Sequence, residues 1–106
     1  MKAYKLSNMT KGWFVGDFAP TALRTEAAEV AVKTYAAGTI EKRHLHKVAE
    51  EVTLIVLGQA RMNDTRYEAG DIVVIEPGES AEFEAITDVT TVVVKVPSVA
   101  GDKYEC

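Results

Sequence analysis

The chain has little of what marks exported or membrane-embedded proteins. It contains one cysteine, Cys106, so no internal disulfide can form. Its longest mainly apolar runs, residues 52–57 and 72–75, have the length of a β-strand and are far too short to cross a bilayer. The first residues also lack the apolar stretch and small-residue cleavage site of a signal peptide. We therefore expect a soluble, cytoplasmic protein that does not associate with membranes.

The balance of charge is mildly acidic. The formal net charge is -4 and no cluster of lysine or arginine stands out, so a nucleic-acid partner is not expected. The familiar catalytic signatures are also missing. There is no nucleophile elbow, no favourable Cys–His pair and no glycine-rich loop that would cradle a phosphate. Any chemistry must therefore come from a different set of residues.

Regularly spaced turns organise most of the 106 residues. Turn signals stand at 58–59, 63–64, 69–71 and 77–78, and short β-branched or alternating segments lie between them. Turns repeated at intervals of roughly 8–12 residues are typical of an all-β sandwich or barrel. A chain of this length can bury a core without disulfides or metals. We expect one all-β domain over residues 1–106.

The only two histidines of the chain, His44 and His46, lie close to Glu51. Residues i and i+2 of a strand point to the same side, so both imidazoles project from one face. A short bend over residues 47–50 would let the next strand bring Glu51 beside them. Imidazoles with a carboxylate suit Zn, Mn, Fe, Ni or Cu rather than Ca or Mg. The alternative is a pair of polar barrel residues that hold no metal.

The spacing around these ligands gives a family resemblance. The pattern is Gly, five residues, His-x-His, four residues, Glu, six residues and Gly, and it consists of Gly38, His44, His46, Glu51 and Gly58. In this pattern the chain resembles the first motif of the cupin superfamily. Glu50 is the second choice for the carboxylate, since it leaves seven residues before the final glycine. The resemblance implies a double-stranded β-helix, the cupin jelly-roll barrel, with a site inside it.

The second cupin motif is incomplete. Gly70 and Gly78 stand in the expected places, but Glu76 replaces a proline, Ala81 replaces the third metal histidine and Ala85 replaces an asparagine. The resemblance therefore implies a site with two histidines and one carboxylate. That set coincides with the facial triad of non-haem Fe(II) chemistry, which leaves coordination positions open.

Three functions follow as expectations from this resemblance. The first is a metal-binding cupin that acts on or binds a small polar molecule of a carbohydrate-related kind, with Fe, Mn, Ni or Zn held by His44, His46 and Glu51. The second is a non-catalytic cupin that binds a sugar or another small molecule without a metal. The third is a structural cupin that has lost its site. Whether the protein is an enzyme stays open.

The resemblance also bears on the rest of the chain. It implies a barrel core of about residues 29–97, an N-terminal arm of 1–28 and a C-terminal tail of 98–106, and it suggests a homodimer. An aromatic cluster at 13–18 is expected to lie over the barrel or at its edge. Tyr35, Arg61 and Phe83 are candidates to line the ligand pocket.

Overall fold

Ten β-strands and one short 3-10 helix make up the regular structure. The computed structural model describes all of residues 1–106. The helix η1 covers Leu6–Asn8, and the strands are β1 Trp13–Val15, β2 Glu29–Tyr35, β3 Ile40–Leu45, β4 Glu50–Leu57, β5 Gln59–Met62, β6 Thr65–Glu68, β7 Ile72–Ile75, β8 Ala81–Ala85, β9 Val89–Val96 and β10 Tyr104–Glu105. No helix is long and apolar enough to cross a membrane.

The strands form two five-stranded sheets in which every pairing is antiparallel. The first sheet has the order β1-β2-β9-β4-β7, and the second has the order β10-β3-β8-β5-β6. Neighbours in a sheet are mostly distant in sequence, as the pairing of β4 with β9 shows. The prediction of an all-β barrel is confirmed.

Glycine and asparagine permit the tight connections. Asn63 takes φ 52° in the two-residue loop between β5 and β6, because its short polar side chain tolerates the left-handed region. Gly58 has φ 88° between β4 and β5, and a Cβ atom there would lie 2.0 Å from the carbonyl oxygen of Asp88. Only glycine fits that position without moving the backbone.

Strand alternation places every second residue inside the barrel. Along this inner face the residues are apolar at one end of the barrel and polar at the other. On β4, Ile55 packs into the apolar cluster, whereas Thr53 and Glu51 line a cavity further along the same face. On β9, Val89 lies in the cluster and Lys95 lies at the cavity. The cluster consists of Ile55, Ala60, Met62, Ile75, Phe83, Ala85 and Val89. The apolar end closes the barrel and positions polar side chains at the other end.

Both termini fold onto the barrel. Strand β1 extends the first sheet by pairing with β2, and β10 extends the second by pairing with β3. Residues of the first thirteen positions, including Leu6, Met9 and Trp13, line the cavity. The segment after β9 is also anchored, because Ser98 and Asp102 are buried.

Candidate functional site

A cavity of about 1040 Å³ occupies the polar end of the barrel. Cavities of this size accommodate small molecules the size of a sugar or nucleoside. His44, His46 and Glu51 all line it, together with Tyr35 and Phe83. The structure therefore brings five of the six residues singled out from the sequence to one cavity.

His46 is the most buried of the three candidate ligands, with 5% of its surface exposed. It follows directly after β3. Its Nδ1 atom donates a hydrogen bond to the backbone carbonyl of Asp102. Its Nε2 atom is buried, has no hydrogen-bond partner in the protein and lies 3.6 Å from Glu51 Oε1. Because the carbonyl fixes the proton on Nδ1, the neutral ring presents a free lone pair at Nε2.

His44 lies beside His46 but is more open. Its Nδ1 atom is 3.0 Å from the carbonyl oxygen of Lys42, and its ring is nearly perpendicular to that of His46, with centroids 5.3 Å apart. Glu51 approaches from β4, where it pairs in register with Lys95 of β9. No group of three or more His, Cys, Asp or Glu side chains is arranged closely enough to hold a metal ion.

The charges of His46 and Glu51 stabilise each other. The nearby carboxylate of Glu51 raises the pKa of His46 above its usual value, against the opposing effect of burial. Burial alone would raise the pKa of Glu51, but His46 and the charge of Lys95 outweigh it, so the pKa lies below its usual value. The pair therefore favours an imidazolium facing a carboxylate when no other cation is present.

Asp102 is a site residue that sequence reasoning missed. Besides the carbonyl that holds His46, its carboxylate accepts hydrogen bonds from the backbone N–H groups of Lys47, Val48 and Ala49 at 2.8, 3.1 and 2.9 Å. These bonds fix the connection between β3 and β4 that carries His46. The residue lies 56 positions further along the chain, and no local pattern in 98–106 distinguishes a buried aspartate from a solvated one.

Two of the three expected pocket residues, one from each sheet, contact each other at the cavity. The rings of Tyr35 and Phe83 have centroids 4.6 Å apart, and the Tyr35 hydroxyl donates to the carboxylate of Glu41. Burial and this carboxylate raise the pKa of Tyr35 well above its usual value, so the phenol stays protonated. Arg61 is a correction to the sequence-based expectation, because its side chain is 47% exposed and pairs with Glu84 at 2.9 Å. Its neighbours on β5, Ala60 and Met62, are the residues that point inward.

Comparison with known proteins rests on the fold. No protein-family model matches the chain, and no curated protein matches it. A conserved protein with a double-stranded β-helix domain from Klebsiella pneumoniae is 25% identical over 73% of this chain and 69% of its own, with a TM-score of 0.67. Pac13 from Streptomyces, a nucleoside dehydratase, is 14% identical over 77% of this chain and 70% of its own, with a TM-score of 0.69. A sugar phosphate isomerase of the cupin superfamily from Silicibacter pomeroyi is 18% identical over 68% of this chain, with a TM-score of 0.62. The match spans about half of that isomerase, 52% of its length.

Two antiparallel sheets closed around a polar cavity, with the likeness to these structures, define a double-stranded β-helix protein. The chain therefore has the double-stranded β-helix fold that the resemblance in the sequence implied.

Proposed function

We propose that the cavity binds a small polar molecule of the sugar or nucleoside class. One observation carries this proposal. Two buried side-chain atoms lack a hydrogen-bond partner in the protein, His46 Nε2 and Thr91 Oγ1, and both residues line the same cavity. Unpaired buried polar atoms are costly, and ligand hydroxyl groups would satisfy both.

The similar structures support this ligand class. Pac13 has been solved with uridine, and the isomerase acts on a sugar phosphate. Their identities of 14% and 18% limit the argument to the shared barrel. The ligand class of this chain therefore rests on its own cavity residues.

A ligand series tests the binding proposal. Uridine and simple sugars should raise the melting temperature of the protein, and the shift should follow mass action. Thr91→Val removes an unsatisfied buried hydroxyl, so we expect this variant to be at least as stable as wild type but to show a smaller shift. Equal shifts for wild type and Thr91→Val would show that Thr91 does not contact the ligand. No shift with any ligand would contradict the proposal.

We further propose that His44, His46 and Glu51 hold a divalent transition metal, Fe, Mn, Ni or Zn, at the base of the cavity. The donor types suit such an ion, and the three side chains would have to come closer together to coordinate it. Each histidine has Nδ1 next to a backbone carbonyl, which leaves Nε2 free, and this is the usual arrangement around metal-ligating histidines. A bound metal would polarise a carbonyl or hydroxyl of the ligand. The Asp102 carbonyl would hold the His46 ring in the ligating orientation.

Binding without a metal is the second candidate, and one observation favours it. Glu51 already faces two cationic partners, since His46 Nε2 is 3.6 Å away and Lys95 is its register partner on β9. In this state His46 and Glu51 would bind ligand hydroxyl groups directly.

Elemental analysis of protein purified without an affinity tag or added metal separates the two candidates. Stoichiometric metal in wild type that is lost in His46→Ala and Glu51→Gln would support the metal site. Glu50→Gln is the matched control, because Glu50 is the exposed neighbour on the same strand and also the alternative ligand. If wild type and His46→Ala carry the same negligible metal after reconstitution, the metal proposal fails and the metal-free candidate remains.

We also infer a homodimer formed through the outer face of the first sheet. This face is made of aliphatic side chains from three adjacent strands: Val52, Leu54, Val56, Ile72, Val74, Val92, Val94 and Val96. Ile72 and Val74 are 64% and 52% exposed. Monomeric proteins rarely leave a continuous apolar patch of this kind in water. A largely aliphatic face is complementary to a second copy of itself.

A further inference from the structure

Two lysines project into the cavity from the first sheet. Lys33 of β2 and Lys95 of β9 lie on the inner face, in register with Thr91 and Glu51 respectively. Their side chains are only 21% and 18% exposed. A lysine ammonium is strongly hydrated, so placing two of them in a barrel interior is costly unless something else binds them.

Neither ammonium group has a carboxylate within hydrogen-bond distance. Lys33 Nζ is 3.8 Å from Glu41 Oε1, and Lys95 Nζ is 4.0 Å from Glu29 Oε1. Both distances exceed that of a hydrogen bond. The ring of Trp13 lies near both groups, with its centroid 4.8 Å from Lys95 Nζ and 5.7 Å from Lys33 Nζ. The ammonium groups are thus held in place, yet their N–H donors are not taken up by the glutamates.

The surroundings of Lys33 carry charges of both signs. Burial lowers the pKa of Lys33, the charges of Glu41 and Glu51 oppose this, and the charges of Lys103 and Lys95 lower the pKa further. Five lysines and four glutamates line the cavity and its opening, whereas the whole chain carries a net charge of -4. Lys33 and Lys95 therefore offer an anion two neighbouring ammonium groups that lie close enough to affect each other's charge.

We propose that Lys33 and Lys95 form a subsite for an anionic group, a carboxylate or a phosphate, on the molecule that the cavity binds. The ligand would then be an acidic or phosphorylated sugar-like molecule rather than a neutral one. This inference rests on the proposed binding function and specifies its ligand. Because Lys95 is in register with Glu51 and Lys33 with Thr91, an anionic group held by both lysines lies beside these two residues.

The single tryptophan of the chain reports on this subsite. An anion that binds both lysines changes the charge beside the indole ring of Trp13, so its fluorescence should change. We would titrate wild-type protein at constant ionic strength with inorganic phosphate, glucose, glucuronate and glucose 6-phosphate. The three sugars share one ring, and the two acidic ones distinguish a carboxylate from a phosphate.

The expected result is saturable binding in which at least one acidic sugar binds tenfold or more tightly than glucose. Lys33→Met and Lys95→Met retain side-chain length without charge, and each should remove most of this preference. Lys2→Met, an exposed position away from the cavity, should bind like wild type. The sugar comparison in the unaltered protein needs no substitution, so it decides the matter even if a methionine variant fails to fold.

Equal binding of glucose and both acidic sugars would overturn the anionic subsite while leaving the sugar-binding proposal intact. An anion preference that survives in both methionine variants would also overturn it. Saturable, lysine-dependent binding of phosphate without binding of any sugar would support the subsite and contradict the sugar-like ligand. Absence of saturable binding by every probe would overturn the subsite.

Discussion

The two nitrogen atoms of His46 have separate tasks. Nδ1 donates to the Asp102 carbonyl and sets the ring orientation, while Nε2 faces Glu51 in the cavity. The positions of His44, His46 and Glu51 on one cavity could be predicted because strand alternation is a local rule. Asp102 could not, because its contact with His46 depends on how the last residues fold back over the barrel. The outward direction of the Arg61 side chain could not be predicted, because it depends on which β5 residues pack into the barrel.

The His46–Glu51 pair predicts a pH dependence of stability in the metal-free protein. A raised pKa of His46 gives stability that is fully present below about pH 6.5 and is lost as the pH rises through the raised pKa. A lowered pKa of Glu51 gives stability present above about pH 4.5 and lost as the pH falls through the lowered pKa. The pair is therefore most stabilising between these two values.

Urea unfolding of chelator-treated wild type and Glu51→Gln checks this. We expect the difference in free energy of unfolding to be on the order of 1 kcal/mol larger at pH 5.5 than at pH 8.5. Glu50→Gln should show no such change with pH. A difference that is the same at both pH values would mean that the two groups are not coupled.

Asp102 predicts a second effect at this scale. Asp102→Ala leaves three backbone N–H groups without their acceptor, and we expect it to lower the free energy of unfolding by about 2–3 kcal/mol. Asp102→Asn keeps an acceptor oxygen but loses the charge, so its loss should be smaller. Glu105→Ala, an exposed change in the same segment, is the control. If both substitutions at Asp102 cost as little as the control, the carboxylate does not hold this connection.

At the scale of the element, the sequence indicated the strands of the barrel but not β1 and β10, which the two terminal segments contribute. The hairpin at Asn63–Asp64 could be predicted because a two-residue turn and its flanking strands are adjacent in the chain. Strands β1 and β10 have three and two residues, and each extends a sheet by pairing with a strand elsewhere in the chain. Their short lengths give no periodic signal.

The two glycines at the ends of the first motif offer a matched test of backbone packing. Gly38 and Gly58 both have φ 88°, so alanine suffers the same left-handed strain at either position. A Cβ atom at Gly38 has no neighbour within 4 Å, whereas at Gly58 it lies 2.0 Å from the Asp88 carbonyl oxygen. Gly38→Ala should cost about 1 kcal/mol, and Gly58→Ala about 3 kcal/mol or more. Equal losses in chemical denaturation would show that strain, not contact with Asp88, makes Gly58 necessary.

At the scale of the whole molecule, the outer surfaces of the two sheets differ in polarity. The second sheet carries exposed ion pairs, Arg43 with Glu82 at 3.4 Å and Arg61 with Glu84 at 2.9 Å. On the first sheet, β9, β4 and β7 lie side by side and present mostly aliphatic side chains, with the exposed carboxylate of Glu50 at one end beside Val96. The cavity lies on the inner face, so the aliphatic outer surface is free to bind another molecule without blocking the site.

If that surface joins two copies of the chain, a single charge at its centre should separate them. Val74 pairs with Val52 on β4 and is 52% exposed, so Val74→Lys would place two ammonium groups in the interface of a symmetric dimer. The monomer should remain folded, because the lysine lies in water once the subunits part. Sedimentation analysis should show a dimer for wild type and a monomer for Val74→Lys at the same micromolar concentration, with unchanged binding in the cavity. Glu68→Lys, an exposed change on β6 of the second sheet, should stay dimeric. A wild-type monomer at every concentration, or a dimer that survives Val74→Lys but not Glu68→Lys, would assign this aliphatic face a different role.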